Sequence, residues 1–212
     1  MKEAKERSIL FSGEMVRAVL DGRKTQARRV IKPHPKRGIG KSGDEWVDMW
    51  DNRIKCPYGK PGDMLWCRET WATSLSLDDL SPSGISAPAY YAGYGGDNPL
   101  ADLWYMADIH YRQWGSEITS LGKTRPSVHM PRWASRIQLE ITDVRVERVQ
   151  DISREDVETE GISIIDRVTG IFCEGYTPQD PFKNLWNSIY KKKEFRWDVN
   201  PWVWVVEFKV VT

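Results

Sequence analysis

Two stretches of the chain concentrate side chains able to hold an anion or move a proton. The first, Arg23-Lys24-Thr25-Gln26-Ala27-Arg28-Arg29, is densely basic. Clustered guanidinium groups suit phosphate oxygens because their planar fork binds bidentately. A lysine such as Lys24 becomes a base once burial lowers its pKa. The competing reading of Arg23, Arg28 and Arg29 is a solvated basic face. The second stretch runs from Arg125 to Arg136, RPSVHMPRWASR. Arg132 and Arg136 flank Trp133, and cations interleaved with an aromatic ring suit the backbone and bases of a single strand. The competing reading of Trp133 is a ring buried where a loop meets the core. His129 sits in the same stretch, as a candidate acid or base or as a merely hydrogen-bonded imidazole.

A third group lies on a strand. In Met64–Trp71 (MLWCRETW), alternation puts Met64, Trp66, Arg68 and Thr70 on one face and Leu65, Cys67, Glu69 and Trp71 on the other. A charge on each face is unusual for a core strand. It makes Arg68 and Glu69 candidates for a polar site, with Trp66 as a stacking surface.

These residues need elements to position them. Ser8–Phe11 reads as a strand, and Ser12 caps a helix bearing Met15, Val16, Val19 and Leu20 on one face, with Gly22 closing it. Val30-Ile31 reads as a strand ended by Pro33 and Pro35. Residues 33–60 are rich in Gly, Pro and Lys and read as an irregular insertion. Residues 74–125 form a second insertion or flap, with Tyr90, Tyr91 and Tyr94 as expected contacts. A long strand is predicted over 137–149, with a bend near Thr142-Asp143. Ser153 opens a capped helix that stops at Gly161. Asp180-Pro181 opens another, with Phe182, Leu185, Trp186, Ile189 and Tyr190 in helical phase. Trp202–Val211 is a nearly unbroken apolar strand, expected to be central. The mixed order predicts an α+β fold: one domain over 1–212, on a small curved or closed sheet with flanking helices.

Composition limits the chemistry. The chain has 212 residues, with 31 Lys+Arg against 30 Asp+Glu and a net charge of +1. Such balance excludes duplex binding by bulk charge but leaves a local basic patch. Hydrophobic residues make up 40% and charged residues 29%, as in an ordinary folded domain. No run of about 18 apolar residues occurs, and the first residues lack an apolar core, so neither a membrane span nor a secretion signal is expected. The expected location is the cytoplasm. Cys56, Cys67 and Cys173 are widely spaced, which suits neither a disulfide framework nor zinc. Phosphate-loop, dinucleotide, zinc-protease and nucleophile-elbow signatures are absent, and no metal or other cofactor is implied.

Gly22-Arg23-Lys24-Thr25 followed by Arg28 and Arg29, Pro61-Gly62-Asp63 with Leu65-Trp66, the strand to Asp151-Ile152-Ser153 and the helix to Glu160-Gly161, and the closing Val205-Val206-Glu207-Phe208 together resemble the ASCH family of the PUA-like superfamily. The set looks like a phage or prophage branch and covers about two thirds of the chain. The resemblance implies a small β-barrel with a cleft beside the first helix, and recognition of RNA or modified nucleosides. Some members resemble amidohydrolases acting on N4-acetylcytidine, and others are described as ribonucleases. The amidohydrolase pattern pairs a Lys, a Thr three residues later and a Glu in the later helix. The Lys matches Lys24 and the Glu matches Glu160, but the Thr position falls on Ala27, which has no hydroxyl. Neighbouring Thr25 is the remaining hydroxyl candidate, although it is expected to point elsewhere. The expected reading is therefore recognition of single-stranded RNA or a nucleoside. Phosphates would meet Arg23, Lys24, Arg28, Arg29 and Arg132, and a base would stack near Trp66 or Trp133. The alternatives are a hydrolase or ribonuclease using Lys24 and Glu160, or a phage protein that binds a host protein through 74–125.

Overall fold

The Ser12 hydroxyl accepts the Met15 N–H at 3.3 Å and starts a helix, α1 (Gly13–Leu20). Val16, Ala18 and Val19 are its buried residues, while Leu20 is 49% exposed and leaves the predicted face. In this computed structural model, the described residues are 4–33, 35, 38–43, 45–85, 103–109, 121–163, 177 and 179–211. Tyr90, Tyr91, Tyr94 and Cys173 lie outside them.

Among the described residues the fold is α+β, with ten strands and four helices. The main sheet contains β1 (Glu6–Leu10), β2 (Gln26–Val30), β6 (Met64–Arg68), β9 (Gln138–Arg148) and β10 (Trp202–Val210), in the order β1-β6-β9-β10-β2. β10 and β2 are antiparallel, with Val203 opposite Val30 and Val206 opposite Ala27. Residues 203–206 of β10 are all buried, so both faces of that strand are covered, as its unbroken apolar run predicts.

The described residues of 33–60 are more regular than their composition suggests. They form a three-stranded antiparallel sheet, β3 (Ile39–Ser42), β4 (Glu45–Asp48) and β5 (Arg53–Ile54). Gly43, at φ +61°, takes the turn conformation between β3 and β4. Strands this short show no period in a Gly- and Lys-rich stretch. Trp46 anchors the sheet by meeting Trp204 edge-on at 6.4 Å. Within 74–125, β8 (Trp104–Tyr105) pairs with β7 (Trp71–Ala72) and leads into α2 (Met106–Ile109).

The chain divides into two compact units where its composition suggests one domain: Met1–Lys5, Ala18–Met64 and Glu140–Val210 in the first, and Glu6–Arg17, Leu65–Leu139 and Val211–Thr212 in the second. The first unit adds α3 (Arg154–Thr159) and α4 (Asp180–Ile189). Ser153 and Asp156 close a reciprocal capping box on α3, and Pro181 occupies the first turn of α4. Phe182 and Trp186 of α4 pack on Val30, Val149, Val157, Val203 and Val205. The Trp186 indole N–H is satisfied by the Phe195 carbonyl at 2.8 Å. The second unit has its own core of Trp71, Ile85, Leu103, Met130 and Ala134.

Candidate functional site

Gly22, at φ +71°, closes α1. The N–H groups of Arg23 and Lys24 both reach the Ala18 carbonyl at 2.9 Å, which turns the chain sharply and drives Lys24 inward. There Lys24 forms a single antiparallel bridge with Glu160, the C-cap of α3. Gly161 permits that approach. A Cβ there would lie 2.7 Å from the Ala18 Cβ and 2.9 Å from the Lys24 Cβ, and its φ is +83°. Two residues separated by most of the sequence are thereby brought together.

The Lys24 ammonium has three donors and meets three acceptors: Glu160 Oε2 at 2.6 Å, the Gln26 carbonyl at 2.8 Å and the Glu160 carbonyl at 2.9 Å. Lys24 is 1% exposed and Glu160 5%. Burial pushes the Lys24 pKa below its ordinary value, and Glu160 opposes that shift without cancelling it. Glu160 Oε1 accepts the Arg28 backbone N–H at 2.7 Å.

Arg28 does not reach solvent as a phosphate-binding residue would. It belongs to β2, which begins at Gln26 and takes in the basic residues, whereas the sequence places the strand at Val30-Ile31. Its guanidinium is wholly buried and donates to Glu147 at 3.0 Å and to Asp156 at 2.9 Å. It also donates to the Gln26 side-chain oxygen. Arg145 of β9 extends the network to Glu147, Asp156 and Glu207. Among the described residues, three cations, Lys24, Arg28 and Arg145, thus meet five carboxylates, Asp143, Glu147, Asp156, Glu160 and Glu207. Burial raises the Asp156 pKa, but Arg28, Gln26, the Ser153 backbone and Arg145 outweigh it and hold the group below its ordinary value. Burial works against the Arg145 charge, and its carboxylate partners more than compensate, so its pKa lies above the ordinary value.

The rest of the first basic stretch is also engaged. Arg23 pairs with Asp21 at 2.8 Å and donates to the Gly161 carbonyl at 2.9 Å. Arg29 is half-buried and donates to the Arg28 carbonyl at 2.9 Å. Thr25 is exposed while Lys24 is buried, so its hydroxyl does not share the lysine's enclosure. Ala27 is fully buried on β2.

The second unit holds the other candidates. Glu69 is 1% exposed and accepts two bonds from Arg136, at 2.9 and 3.1 Å. Arg136 also grips Asp108 at 2.7 and 2.9 Å and lies 3.9 Å from the Tyr105 ring centre. It clamps carboxylates where the sequence suggests a strand-binding cation. Burial raises the Glu69 pKa against the pull of Arg136. Trp133 packs edge-on against Trp71 at 6.3 Å and donates its indole N–H to the Ile85 carbonyl at 3.1 Å, so it serves the core. Arg132 reaches Glu6 at 2.7 Å, and Arg68 reaches the Val128 carbonyl at 3.1 Å. Both guanidinium groups lie over Trp66, at 5.9 and 4.7 Å. His129 is exposed in a short 3-10 turn.

Gln26, Glu147, Asp156, Arg145, Glu207 and Asp108 were not among the sequence candidates. A signal existed for two of them, since Arg145 and Glu147 stand two apart on one strand and must share a face. Among the described residues no His, Cys, Asp and Glu group is arranged to hold a metal ion, and no helix is long and apolar enough to cross a membrane. The chain matches no protein-family model, no curated protein and no solved structure.

Proposed function

We propose that the chain is an ASCH-type domain of PUA-like architecture that recognises single-stranded RNA or a modified nucleoside, and that it binds its ligand without turning it over. The observation that carries this reading is the meeting of Lys24 and Glu160 at 2.6 Å, the pair that the sequence resemblance singles out. Three details favour recognition over hydrolysis. The Lys24 ammonium has all three protons committed to acceptors. Ala27 stands where the amidohydrolase pattern has a threonine. Thr25 is exposed and away from the pair's enclosure. A general base needs an open lone pair within reach of a substrate proton. Here the pair instead ties the start of β2 to the end of α3.

The test is a panel of short single-stranded RNA, short single-stranded DNA, and modified nucleosides including N4-acetylcytidine. Binding is read by calorimetry, and product by chromatography and gel. The expected result is binding of RNA or a nucleoside with no product. Product formed by the native chain and lost in a folded Glu160→Gln variant would replace this reading with a hydrolase or ribonuclease. No binding across the panel would overturn it.

A further inference from the structure

Most cations of the two basic stretches are spent on carboxylates or carbonyls inside their own unit, but the outer face around Trp66 differs. We infer that Trp66, Arg68 and Arg132 form a contact surface for the phosphodiester backbone of single-stranded RNA. This inference rests on the proposed function and assigns the contact to a surface of the second unit.

Trp66 lies on β6 with its neighbours Leu65 and Cys67 buried on the opposite face. Its ring holds two guanidinium groups, with the Arg68 carbon at 4.7 Å and the Arg132 carbon at 5.9 Å from its centre. An arginine held by a ring loses little freedom when it binds, because stacking fixes its plane and leaves the N–H edge for hydrogen bonds. The Nε of each is buried without a hydrogen-bond partner. Arg68 donates from Nη1 to the Val128 carbonyl, and Arg132 from Nη2 to Glu6. Each therefore keeps a terminal nitrogen with no partner among the described residues. Among the described residues Arg68 pairs with no carboxylate. Glu6, whose pKa Arg132 lowers, offsets one of the two charges. Exposed Leu10 on β1, Val128 and His129 belong to the same unit, with Leu10 45% and Val128 51% exposed. Fixed guanidinium groups beside exposed apolar surface fit a chain that alternates phosphates with bases.

The test titrates a fluorescent 12-mer of uridine into the full chain and follows anisotropy across a salt series. Arg68→Gln and Arg132→Gln should each weaken binding about 3- to 30-fold and reduce the salt slope by about 0.7, the value for one single-strand phosphate contact. Glu6→Gln should tighten binding, which loss of a structural ion pair would not do. Melting curves on each variant verify the fold. Unchanged affinity and slope in both arginine variants, with the native chain still binding RNA, would overturn this inference and leave the proposed function standing. Failure of the native chain to bind the oligomer while binding a nucleoside would also overturn it. Failure to bind either would overturn the proposed function itself.

Discussion

Lys24 and Arg28 in one unit, and Arg132 in the other, come from basic stretches of the sequence, while Arg68 shares a strand with Trp66. Their environments are opposite. Lys24 and Arg28 have no side-chain exposure, and several carboxylates converge on them. Arg132 keeps 37% of its side chain in water and has one carboxylate among the described residues, where Arg68 has none. The difference lies in the partners. Glu147, Asp156 and Glu160 are delivered to β2 by β9 and α3, whereas Arg68 on β6 meets the ring of its own strand's Trp66 and the Val128 carbonyl. A basic run in sequence thus becomes either an internal clamp or an outward surface, according to what lies across from it. An internal clamp contributes order, and only the outward surface can meet a polyanion.

Removing one side of the internal clamp gives the largest expected effect. Glu160→Leu leaves a buried ammonium and an unpaired Arg28 N–H, and should cost about 3–5 kcal/mol in urea unfolding. Adding Lys24→Met should return much of that loss, because the uncompensated charge goes with it. A single-variant loss below about 1 kcal/mol would break the contrast, since the cluster would then behave as surface charge.

The second unit contains its own closed clamp, which sharpens the comparison. Arg136→Met strands Glu69 in its apolar surroundings and should cost about 2 kcal/mol at neutral pH. The pH dependence has a definite sign. Burial raises the folded-state pKa of Glu69, so the folded chain holds that proton more tightly than the unfolded chain. The contribution to stability is full below the unfolded value and is lost as pH rises through the folded one. Without Arg136 the folded value rises further, so stability should fall more steeply from acid towards neutral pH. Unfolding midpoints measured across that range check it, and parallel profiles for the native and variant chains would count against the clamp. Asp156 has the opposite sign: its folded-state pKa is depressed, so its contribution is present above the unfolded value and fades as pH falls through the folded one.

Next in size is Gly161→Ala. The added Cβ meets the Ala18 and Lys24 Cβ atoms at a residue with φ +83°, and should cost about 1–2 kcal/mol. Thermal unfolding measures it, and a neutral result would mean that the close approach of α3 to Lys24 is loose. The smallest effect on stability belongs to the open surface. Arg132→Gln breaks an exposed pair with Glu6 and should change unfolding free energy by less than about 1 kcal/mol. Its consequence should appear in RNA affinity instead.

The parts of this arrangement written locally were legible in the sequence. Ser12, Gly22, Ser153, Gly161 and Pro181 each act within a few residues, and they bound α1, α3 and α4 where their types predict. The apolar run of β10 announced burial on both faces. The pairing of Lys24 with Glu160 came from resemblance alone, because no local rule joins residues so distant. The burial of Arg28 was not legible, since Glu147 and Asp156 lie far along the chain and a run of arginines looks solvated until its partners are known. The same holds for Arg136, whose partners Glu69 and Asp108 come from separate segments. Trp133 beside arginines suggested stacking on a base, but its indole N–H is satisfied by the Ile85 carbonyl and its ring by Trp71. Short strands such as β3 and β4 left too few residues for a period to show.

The most direct single measurement follows binding and product in one sample of the native chain mixed with N4-acetylcytidine and single-stranded RNA. A recognition domain gives heat of binding to at least one of them, with both ligands recovered chemically unchanged. Deacetylated cytidine or shortened RNA that disappears with Glu160→Gln, or no binding to either ligand, would contradict it.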